Sequence, residues 1–319
     1  MEKYDVVAMG ELLIDFTQNG YSEQGNPVFE ANPGGAPCNV LAMLQKMGRK
    51  TAFIGKVGQD GFGLQLEKAL KETGISTEGL CFDKEVHTTL AVVQKKEDGD
   101  RDFSFYRKPG ADMMLRAEEV NEDLIRNAAI FHYGSLSLTD EPVRTATVSA
   151  IEEAEKAGVR LSFDPNLRKP LWESEELAKK QIRYGLGHCH ILKISDDELV
   201  WLTGEQDYEK AIQQLRSEFP ISLILLSMGK NGSRAYCGEE TAEAPAFLSE
   251  NTIETTGAGD TFMGCMLHQI LEKGYQNLSA RDMEEMLIFA NAAASIITTR
   301  RGALRVMPEE EEILKRISL

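Results

Sequence analysis

Short apolar runs alternate with longer amphipathic stretches along most of the chain. The short runs are rich in β-branched residues, and the longer ones repeat apolar residues at the spacing of a helix. The predicted strands are 4–9, 51–57, 129–133, 159–163 and 190–194, and the predicted helices are 37–47, 62–72, 142–156, 174–184, 260–271, 281–299 and 308–317. This alternation predicts an α/β protein with a mostly parallel sheet and helices on both faces.

Two segments depart from this rhythm. Residues 13–31 have a short, extended pattern, and residues 88–107 are typical of a hairpin that turns at Asp98-Gly99. Together they predict a small β layer outside the main sheet. In the second hairpin strand Phe103, Phe105 and Arg107 share one face by the two-residue period. That face fits either ordinary sheet packing or a lid over a polar ligand.

Composition limits the classes of function. The chain has 319 residues, of which 42% are hydrophobic and 27% charged, a balance typical of globular proteins. Its length leaves the number of domains open. The 35 basic and 51 acidic residues give a net charge of −16, which argues against general nucleic-acid binding.

Cysteine usage and the N-terminus indicate the compartment. The five cysteines include no CxxC pair, which argues against a disulfide framework and against a zinc cluster. The N-terminus lacks the pattern of a signal peptide, and no apolar run approaches the length of a membrane span. We therefore expect a cytoplasmic protein.

Residues 255–264, TTGAGDTFMG, are the most informative segment. Gly257 and Gly259 allow a tight turn, and the apolar spacing after Asp260 predicts a helix. Amides at a helix N-terminus attract phosphate, and a carboxylate beside them can accept a proton from a hydroxyl. The chain lacks the GxxxxGK[ST] motif of a P-loop, and Phe262 stands where a dinucleotide fingerprint needs glycine. Taken alone, the segment fits a simple loop with a helix cap equally well.

Polar residues follow several other predicted strands. Asp15 comes after the first strand, and the turn Gly34-Gly35 leads to Asn39 at the start of a helix. Alone, that turn fits a helix cap; with Asp15 it fits a site for a polyol such as a sugar. The segments DPNLR (164–168) and KISDDE (193–198) follow two further strands, as ligand-binding residues do in α/β sheets. Asp196 and Asp197 also fit a helix N-terminal charge cluster.

These motifs, in this order, resemble the ribokinase-like (PfkB) carbohydrate kinase family, and most of all its bacterial fructokinases. The matching segments are GELLIDF, NPGGAPCNV with Ala42, FYRKPGADMML, DPNLR with Trp172, KISDDEL, LLSMGKNG, TTGAGD and NAAASIITTRRGA. They span nearly the whole chain. Their agreement in order distinguishes the resemblance from a single-motif match.

The resemblance implies a single three-layer α/β/α kinase domain over 1–319 with a β lid from about 13–31 and 88–107. It also implies ATP as phosphoryl donor and Mg²⁺ as the metal. The net charge and the lack of an apolar run of membrane length lead us to expect no nucleic-acid or membrane partner. Relatives often dimerise through the lid, which leaves a homodimer through the lid open, because nothing in the sequence fixes the oligomeric state. The expected reaction is transfer of the γ-phosphoryl group of ATP to a ketose hydroxyl, with D-fructose giving fructose 6-phosphate.

The resemblance assigns roles residue by residue. Asp260 would be the general base, and the amides of Gly257, Ala258 and Gly259 would hold the developing charge on the γ-phosphate. Glu198 would organise Mg²⁺ through water. The sugar would be held by Asp15, Gly34, Gly35 and Asn39, with Phe105, Arg107 and Arg168 as further contacts. The nucleotide would lie beside Lys193, Ser227, Gly229, Gly232 and Asn291.

Two departures and two alternatives remain open. Ser195 stands where many relatives carry asparagine. Glu254 stands where the family usually has aspartate, in a stretch that helps to hold a monovalent cation in relatives. Activation by K⁺ is therefore left open. The acceptor alternatives are 2-keto-3-deoxygluconate and ribose, although GGAPCN departs from the GGKGAN pattern of ribokinases. The functional alternative is a catalytically silent sugar or nucleotide sensor.

Overall fold

The computed structural model describes residues 4–95 and 101–318, without the side chains of residues 94, 95 and 101–103. Among these residues no helix has both the length and the apolar character needed to cross a membrane. All five cysteines are free thiols, as their spacing predicted.

The main sheet has nine strands, and most of its length is parallel. Its order from one edge to the other is β13 (Glu240–Ala244), β12 (Ser233–Cys237), β11 (Leu223–Ser227), β10 (Ile191–Ser195), β9 (Arg160–Asp164), β8 (Ala128–Gly134), β1 (Tyr4–Met9), β4 (Thr51–Gly58) and β5 (Ser76–Asp83). Among the described strands of this sheet, the antiparallel pairs are β11 with β12 and β12 with β13, at one edge. The central strands are buried on both faces, which explains their continuous apolar runs.

The two segments that depart from the βα rhythm form a second sheet. It contains β2 (Leu13–Tyr21), β3 (Pro27–Gly34), β6 (Leu90–Lys95) and β7 (Arg101–Tyr106), in the order β3-β2-β6-β7. The predicted hairpin is confirmed by the antiparallel pairing of β6 with β7. Its predicted turn at Asp98-Gly99 and the side chain of Phe103 lie outside the described residues.

Helices cover both faces of the main sheet. They are α1 (Ala36–Lys46), α2 (Gly61–Thr73), α3 (Glu122–Arg126), α4 (Val143–Lys156), α5 (Glu175–His188), α6 (Asp196–Thr203), α7 (Tyr208–Glu218), α8 (Ala258–Lys273), α9 (Ala280–Ile297) and α10 (Glu310–Ile317). Two main apolar clusters separate them from the sheet: α1, α2, α8, α9 and α10 pack into one, and α3 to α7 into the other. The predicted α/β architecture with helices on both faces is confirmed.

The region after β10 contains elements that periodicity did not delimit. Helices α6 and α7 and strands β11 to β13 lie in residues 196–244. These strands have five residues each, so their apolar pattern is too short to separate from that of a buried helix. Their position matters for function, because β11 pairs with β10 and brings Ser227 opposite Ser195.

Candidate active site

A cavity of about 570 Å³ lies beside the carboxyl ends of the parallel strands. Strands β2 and β7 of the second sheet contribute Asp15 and Phe105 to its wall. Its volume is within the range of small-molecule sites in proteins. The predicted site residues that line it are Asp15, Gly35, Asn39, Phe105, Arg168, Lys193, Gly257, Gly259 and Asp260.

Asp260 lies in the first turn of α8 and faces this cavity. Its residue surface is only 9% exposed, and one carboxylate oxygen accepts the side-chain amide of Asn39 at 2.8 Å. Burial raises the pKa of Asp260, while the hydrogen bond from Asn39 and the charges of Lys193 and Arg168 oppose that rise. A buried carboxylate of raised pKa is suited to accept a proton.

Gly257 forms the entry to α8. Its φ of 77° is left-handed, and a Cβ placed on it would lie 2.7 Å from the Cβ of Ala303, so only glycine fits. In the described chain no backbone carbonyl accepts the amide of Gly259 or Asp260, as expected at a helix N-terminus. The amide of Ala258, however, donates to the carbonyl of Thr255 at 3.2 Å, and Ala258 does not line the cavity. Gly257 and Gly259 therefore line the cavity at this helix start and Ala258 does not, while the contact of their amides with a phosphate stays a prediction.

Lys193 and Arg168 bring positive charge to the same wall. The Lys193 ammonium pairs with Asp164 at 2.9 Å and lies 3.1 Å from a Cβ placed on Gly259. Burial alone would lower the pKa of Lys193, but the Asp164 and Glu198 carboxylates raise it, so the side chain remains charged. Arg168 is exposed, and its charge lowers the pKa values of Asp15 and Asp260.

Asp15 also lines the cavity, and it lies in strand β2 of the second sheet rather than at the end of β1. It packs against the Gly34-Gly35 turn so closely that a Cβ on Gly34 would be 2.3 Å from its carboxylate. Burial raises the pKa of Asp15 to about 7, with Glu254 and Asp260 adding to the effect and Arg168 opposing it. Gly34 itself does not line the cavity, but it creates the space that Asp15 occupies.

Arg107 does not line the cavity. Its guanidinium donates to Asp112 at 2.7 Å, to the hydroxyl of Thr139 at 3.0 Å and to the carbonyl of Leu136 at 2.9 Å. The expected contact between Arg107 and a sugar is thus not supported by its placement. Phe105 and Arg107 are less exposed than Ser104 and Tyr106, as the two-residue period predicted, but other protein groups accept the hydrogen bonds of Arg107.

Asn291 differs from its prediction for a similar reason. Its side-chain amide donates to the carbonyls of Ala244 and Pro245, and its oxygen accepts the hydroxyl of Ser233. These bonds tie α9 to the β12–β13 edge. The structure therefore shows a packing role for Asn291, and its contact with a nucleotide stays a prediction.

The remaining predicted residues lie along the neighbouring strand ends. Ser227 ends β11, and Gly229 and Gly232 shape the turn that follows it. The Glu198 carboxylate accepts the amides of Leu167 at 2.7 Å and Ser195 at 2.9 Å, outside the cavity lining. Among residues 4–95 and 101–318, no three His, Cys, Asp or Glu side chains form a group able to hold a metal.

Some lining residues were assigned no role from the sequence. They are Glu11, Leu13, Ala36, Leu136, Asn166, Thr252, Ile253, Thr255 and Thr256; Glu254, which also lines the cavity, was singled out only for its departure from the family pattern. Glu11 stands two residues after the end of β1 and was the clearest available signal, because polar residues at strand ends mark ligand sites in such sheets. Thr252 and Ile253 lie in a segment without regular secondary structure, outside the motifs that match the family.

Comparison with known proteins gives this geometry a family. The model of the pfkB family carbohydrate kinases matches residues 3–310. The chain is 43% identical to probable fructokinase-4 of Arabidopsis thaliana over 316 residues, covering 98% of this chain and 96% of that protein.

Two solved structures share the fold over almost their whole length. A fructokinase from Xylella fastidiosa with bound ATP has a TM-score of 0.89 and 30% identity, covering 99% of this chain and 98% of that one. A fructokinase from Vibrio cholerae with fructose, ADP and calcium ion bound has a TM-score of 0.88 and 28% identity, covering 98% and 99%. A buried carboxylate at a helix N-terminus, a cavity in the size range of small-molecule sites and a family match over nearly all of the sequence agree, and the chain belongs to the pfkB family of carbohydrate kinases.

Proposed function

We propose that this protein transfers the γ-phosphoryl group of ATP to a hydroxyl of D-fructose, giving fructose 6-phosphate and ADP. The observation that carries the proposal is the position of Asp260, a buried carboxylate at the N-terminus of α8 that faces a polar cavity. The relatives named above that are called fructokinases support fructose as the acceptor.

Asp260 would act as the general base. Its carboxylate takes the proton of the sugar hydroxyl as that oxygen forms a bond to the γ-phosphorus, and the bond to the β-γ bridging oxygen breaks. Asn39 holds the carboxylate in one orientation through its 2.8 Å hydrogen bond. Burial favours the reaction because it makes the carboxylate more basic.

The start of α8 would stabilise the charge on the transferred group. The amides of Gly257 and Gly259 lie at the positive end of the helix dipole and line the cavity. The Lys193 ammonium lies next to Gly259, so a fixed cation supports the same oxygens. Ser227, Gly229 and Gly232 at the end of β11 would contact the rest of the nucleotide.

The sugar would lie between the second sheet and α1. The Asp15 carboxylate can accept hydroxyl hydrogens, and the side-chain oxygen of Asn39 has no partner among the described residues. Gly35 allows close approach to the ligand, Arg168 supplies donors, and Phe105 covers the site from β7. The second sheet would act as a lid that excludes water, so that ATP is used on sugar rather than hydrolysed.

The metal requirement fits the donors that are present. Mg²⁺ takes oxygen ligands, keeps several waters and is usually shared between one or two carboxylates and substrate phosphates. Each Glu198 oxygen accepts one backbone amide and retains lone pairs, so it can also accept a metal-bound water. When bound with ATP, Mg²⁺ neutralises charge on the phosphate oxygens.

The lid sheet would also form the contact of a homodimer. Tyr21 is 72% exposed and Tyr106 65% exposed on this sheet, with Val28 nearby in β3 at 43%. Exposed apolar side chains on a single layer indicate an interaction surface. Sedimentation of the wild type and of a Tyr21→Ser, Tyr106→Ser variant tests this; an unchanged sedimentation coefficient would count against the lid as the interface.

A panel of sugars with ATP and Mg²⁺, followed by ADP release, tests the proposed function. Fructose is expected to give the highest kcat/KM, with ribose and 2-keto-3-deoxygluconate well below it. Turnover of ribose but not fructose would overturn the acceptor. Sugar binding without turnover of any sugar would favour a sensor. Repeating the assay with and without K⁺ measures whether Glu254, whose carboxylate accepts the Gly302 amide at 2.9 Å, is compatible with a monovalent cation.

A further inference from the structure

Glu11 is a buried carboxylate with no role in the mechanism above. It lies in the connection between β1 and β2, is 4% exposed and lines the sugar end of the cavity. Burying a carboxyl group costs free energy unless its oxygens are hydrogen-bonded. The groups that contact Glu11 therefore indicate what it does.

The first such group is the N-terminus of α1. The N-cap residue, Gly35, has no side chain to cap the helix, and the first turn contains Pro37 but no acidic residue. Helix N-termini usually need such an acceptor. The Glu11 carboxylate supplies it from 25 residues away, since it accepts the amide of Ala36 at 2.8 Å.

The second contact is with the turn that precedes the helix. Gly35 has a φ of 130°, and a Cβ placed on it would lie 2.3 Å from the backbone carbonyl oxygen of Glu11. The turn thus lies directly on the Glu11 backbone. A displacement of Glu11 would move the turn with it, because interiors are closely packed.

Helix α1 connects the turn at Gly35 with the side chains of Asn39 and Asp260. The amide of Asn39 donates to the carbonyl of Gly35 at 3.0 Å, and its side chain donates to Asp260 at 2.8 Å. A continuous set of hydrogen bonds therefore runs from Glu11 through the start of α1 to Asn39 and Asp260.

The charged groups around Glu11 do not remove its role as an acceptor. Burial raises the pKa of Glu11 to about 7, and the charge of Asp112 contributes to the rise. The hydrogen bonds from the backbone amides of Glu11 and Ala36 and the charge of Arg107 lower the pKa. Cys38 also faces Glu11, and its thiol pKa is raised chiefly by burial. A protonated carboxyl still has a carbonyl oxygen that can accept the Ala36 amide.

We infer that Glu11 is a positioning residue for sugar binding: its carboxyl oxygen caps α1 and thereby fixes the Gly34-Gly35 turn and Asn39 against the substrate. This inference rests on the proposed sugar-kinase function and adds a residue to it. The required property is an acceptor oxygen within reach of Ala36, rather than negative charge.

Glu11→Met and Glu11→Gln form a matched pair that tests this. Both keep nearly the volume of glutamate, but only glutamine keeps an oxygen for the Ala36 amide. The methionine variant is expected to raise KM for the sugar about tenfold, because a buried donor loses its partner and the turn shifts. Its KM for ATP should stay within about twofold, and the glutamine variant should keep the sugar KM within about threefold of wild type.

A double-mutant cycle with Asn39→Ala adds a second readout. If Glu11 acts through α1, Glu11→Met should lower kcat/KM for sugar by less than about threefold in that background. Glu152→Met, an exposed change on α4, is the control and should match wild type. If Glu11→Met does not fold, Glu11→Asp replaces it; its shorter side chain does not reach Ala36, so the same rise is expected.

Three results would overturn the inference. They are an unchanged sugar KM without the acceptor oxygen, an equal rise of the sugar and ATP KM values, and full additivity with Asn39→Ala. The wild-type rate with fructose tests the proposed function separately. The KM comparison uses the sugar that the wild-type enzyme turns over best, so the two failures remain distinguishable.

Discussion

Two buried ion pairs near the cavity have similar distances and burial, but they differ in the hydrogen-bond donors that each cation leaves available. Arg107 and Asp112 approach to 2.7 Å, and each side chain is 2% exposed. Lys193 and Asp164 approach to 2.9 Å, with side chains 8% and 4% exposed. From pairing and burial alone, either cation could belong to a binding site.

The difference lies in the remaining donors of each cation. The Arg107 guanidinium also donates to Thr139 and to the Leu136 carbonyl, so protein acceptors hold its nitrogens. Lys193 lines the cavity, and its ammonium lies beside Gly259 with one carboxylate, that of Asp164, as its ion-pair partner. A buried cation whose donors are satisfied by the protein supports the fold, whereas one with donors facing a cavity can bind a ligand.

The largest expected effect tests whether the reaction takes place in the cavity that Lys193 lines, with Asp260 as the base. Asp260→Asn keeps the shape of the side chain but cannot take a proton. It should lower kcat by about 10²-fold to 10⁴-fold. Thermal unfolding measured in parallel should show an unchanged or slightly raised Tm. An unaltered rate would end the assignment of Asp260 as the base.

The next effect concerns the Arg107 side. Arg107→Met should lower the free energy of unfolding by about 3–5 kcal/mol, because it leaves the Asp112 carboxylate buried without its cation. Urea unfolding measures this, and the KM for sugar of the protein that remains folded should change little. A raised sugar KM with wild-type stability would instead restore a direct role for Arg107 in binding.

The matching change at Lys193 should have the opposite profile. Lys193→Met is expected to lower kcat/KM for ATP about 10²-fold, as loss of one preorganised donor does in other enzymes. Stability should fall less than in Arg107→Met, because burial raises the pKa of Asp164 to about 6 and the carboxyl can take up a proton. Steady-state kinetics and urea unfolding of both variants decide the comparison. Similar profiles would contradict it.

The smallest expected effect is a pH dependence of stability caused by Asp15. Burial raises its pKa in the folded protein from 3.8 to about 7, so folding favours the protonated form. That contribution is fully present below about pH 4 and is lost as the pH rises through 7. Between pH 5 and pH 8 the wild type should therefore lose about 2 kcal/mol more unfolding free energy than Asp15→Asn. If the unfolding free energies of the two proteins depend on pH in the same way, the pKa of Asp15 is not raised in the folded protein.

The sequence was sufficient to predict those elements whose formation depends on residues close together in the chain. The apolar pattern delimited β1 at Tyr4–Met9 and placed helix α1 within one residue of each end. Glycine spacing before Asp260 predicted the turn and helix that the structure contains. Both results follow from backbone geometry, which acts over a few residues.

Partners distant in sequence decided the rest. Glu11 caps a helix 25 residues away, and Asn39 holds Asp260 across 221 residues. The sequence predicted ligand contacts for Arg107 and Asn291. In the structure their side-chain donors bond to buried acceptors of other elements. The sequence by itself determined the βα framework and the types of reactive group it contains. Only the tertiary structure decided which polar groups are satisfied by the protein and which face the cavity, because hydrogen-bond saturation depends on distant neighbours in space.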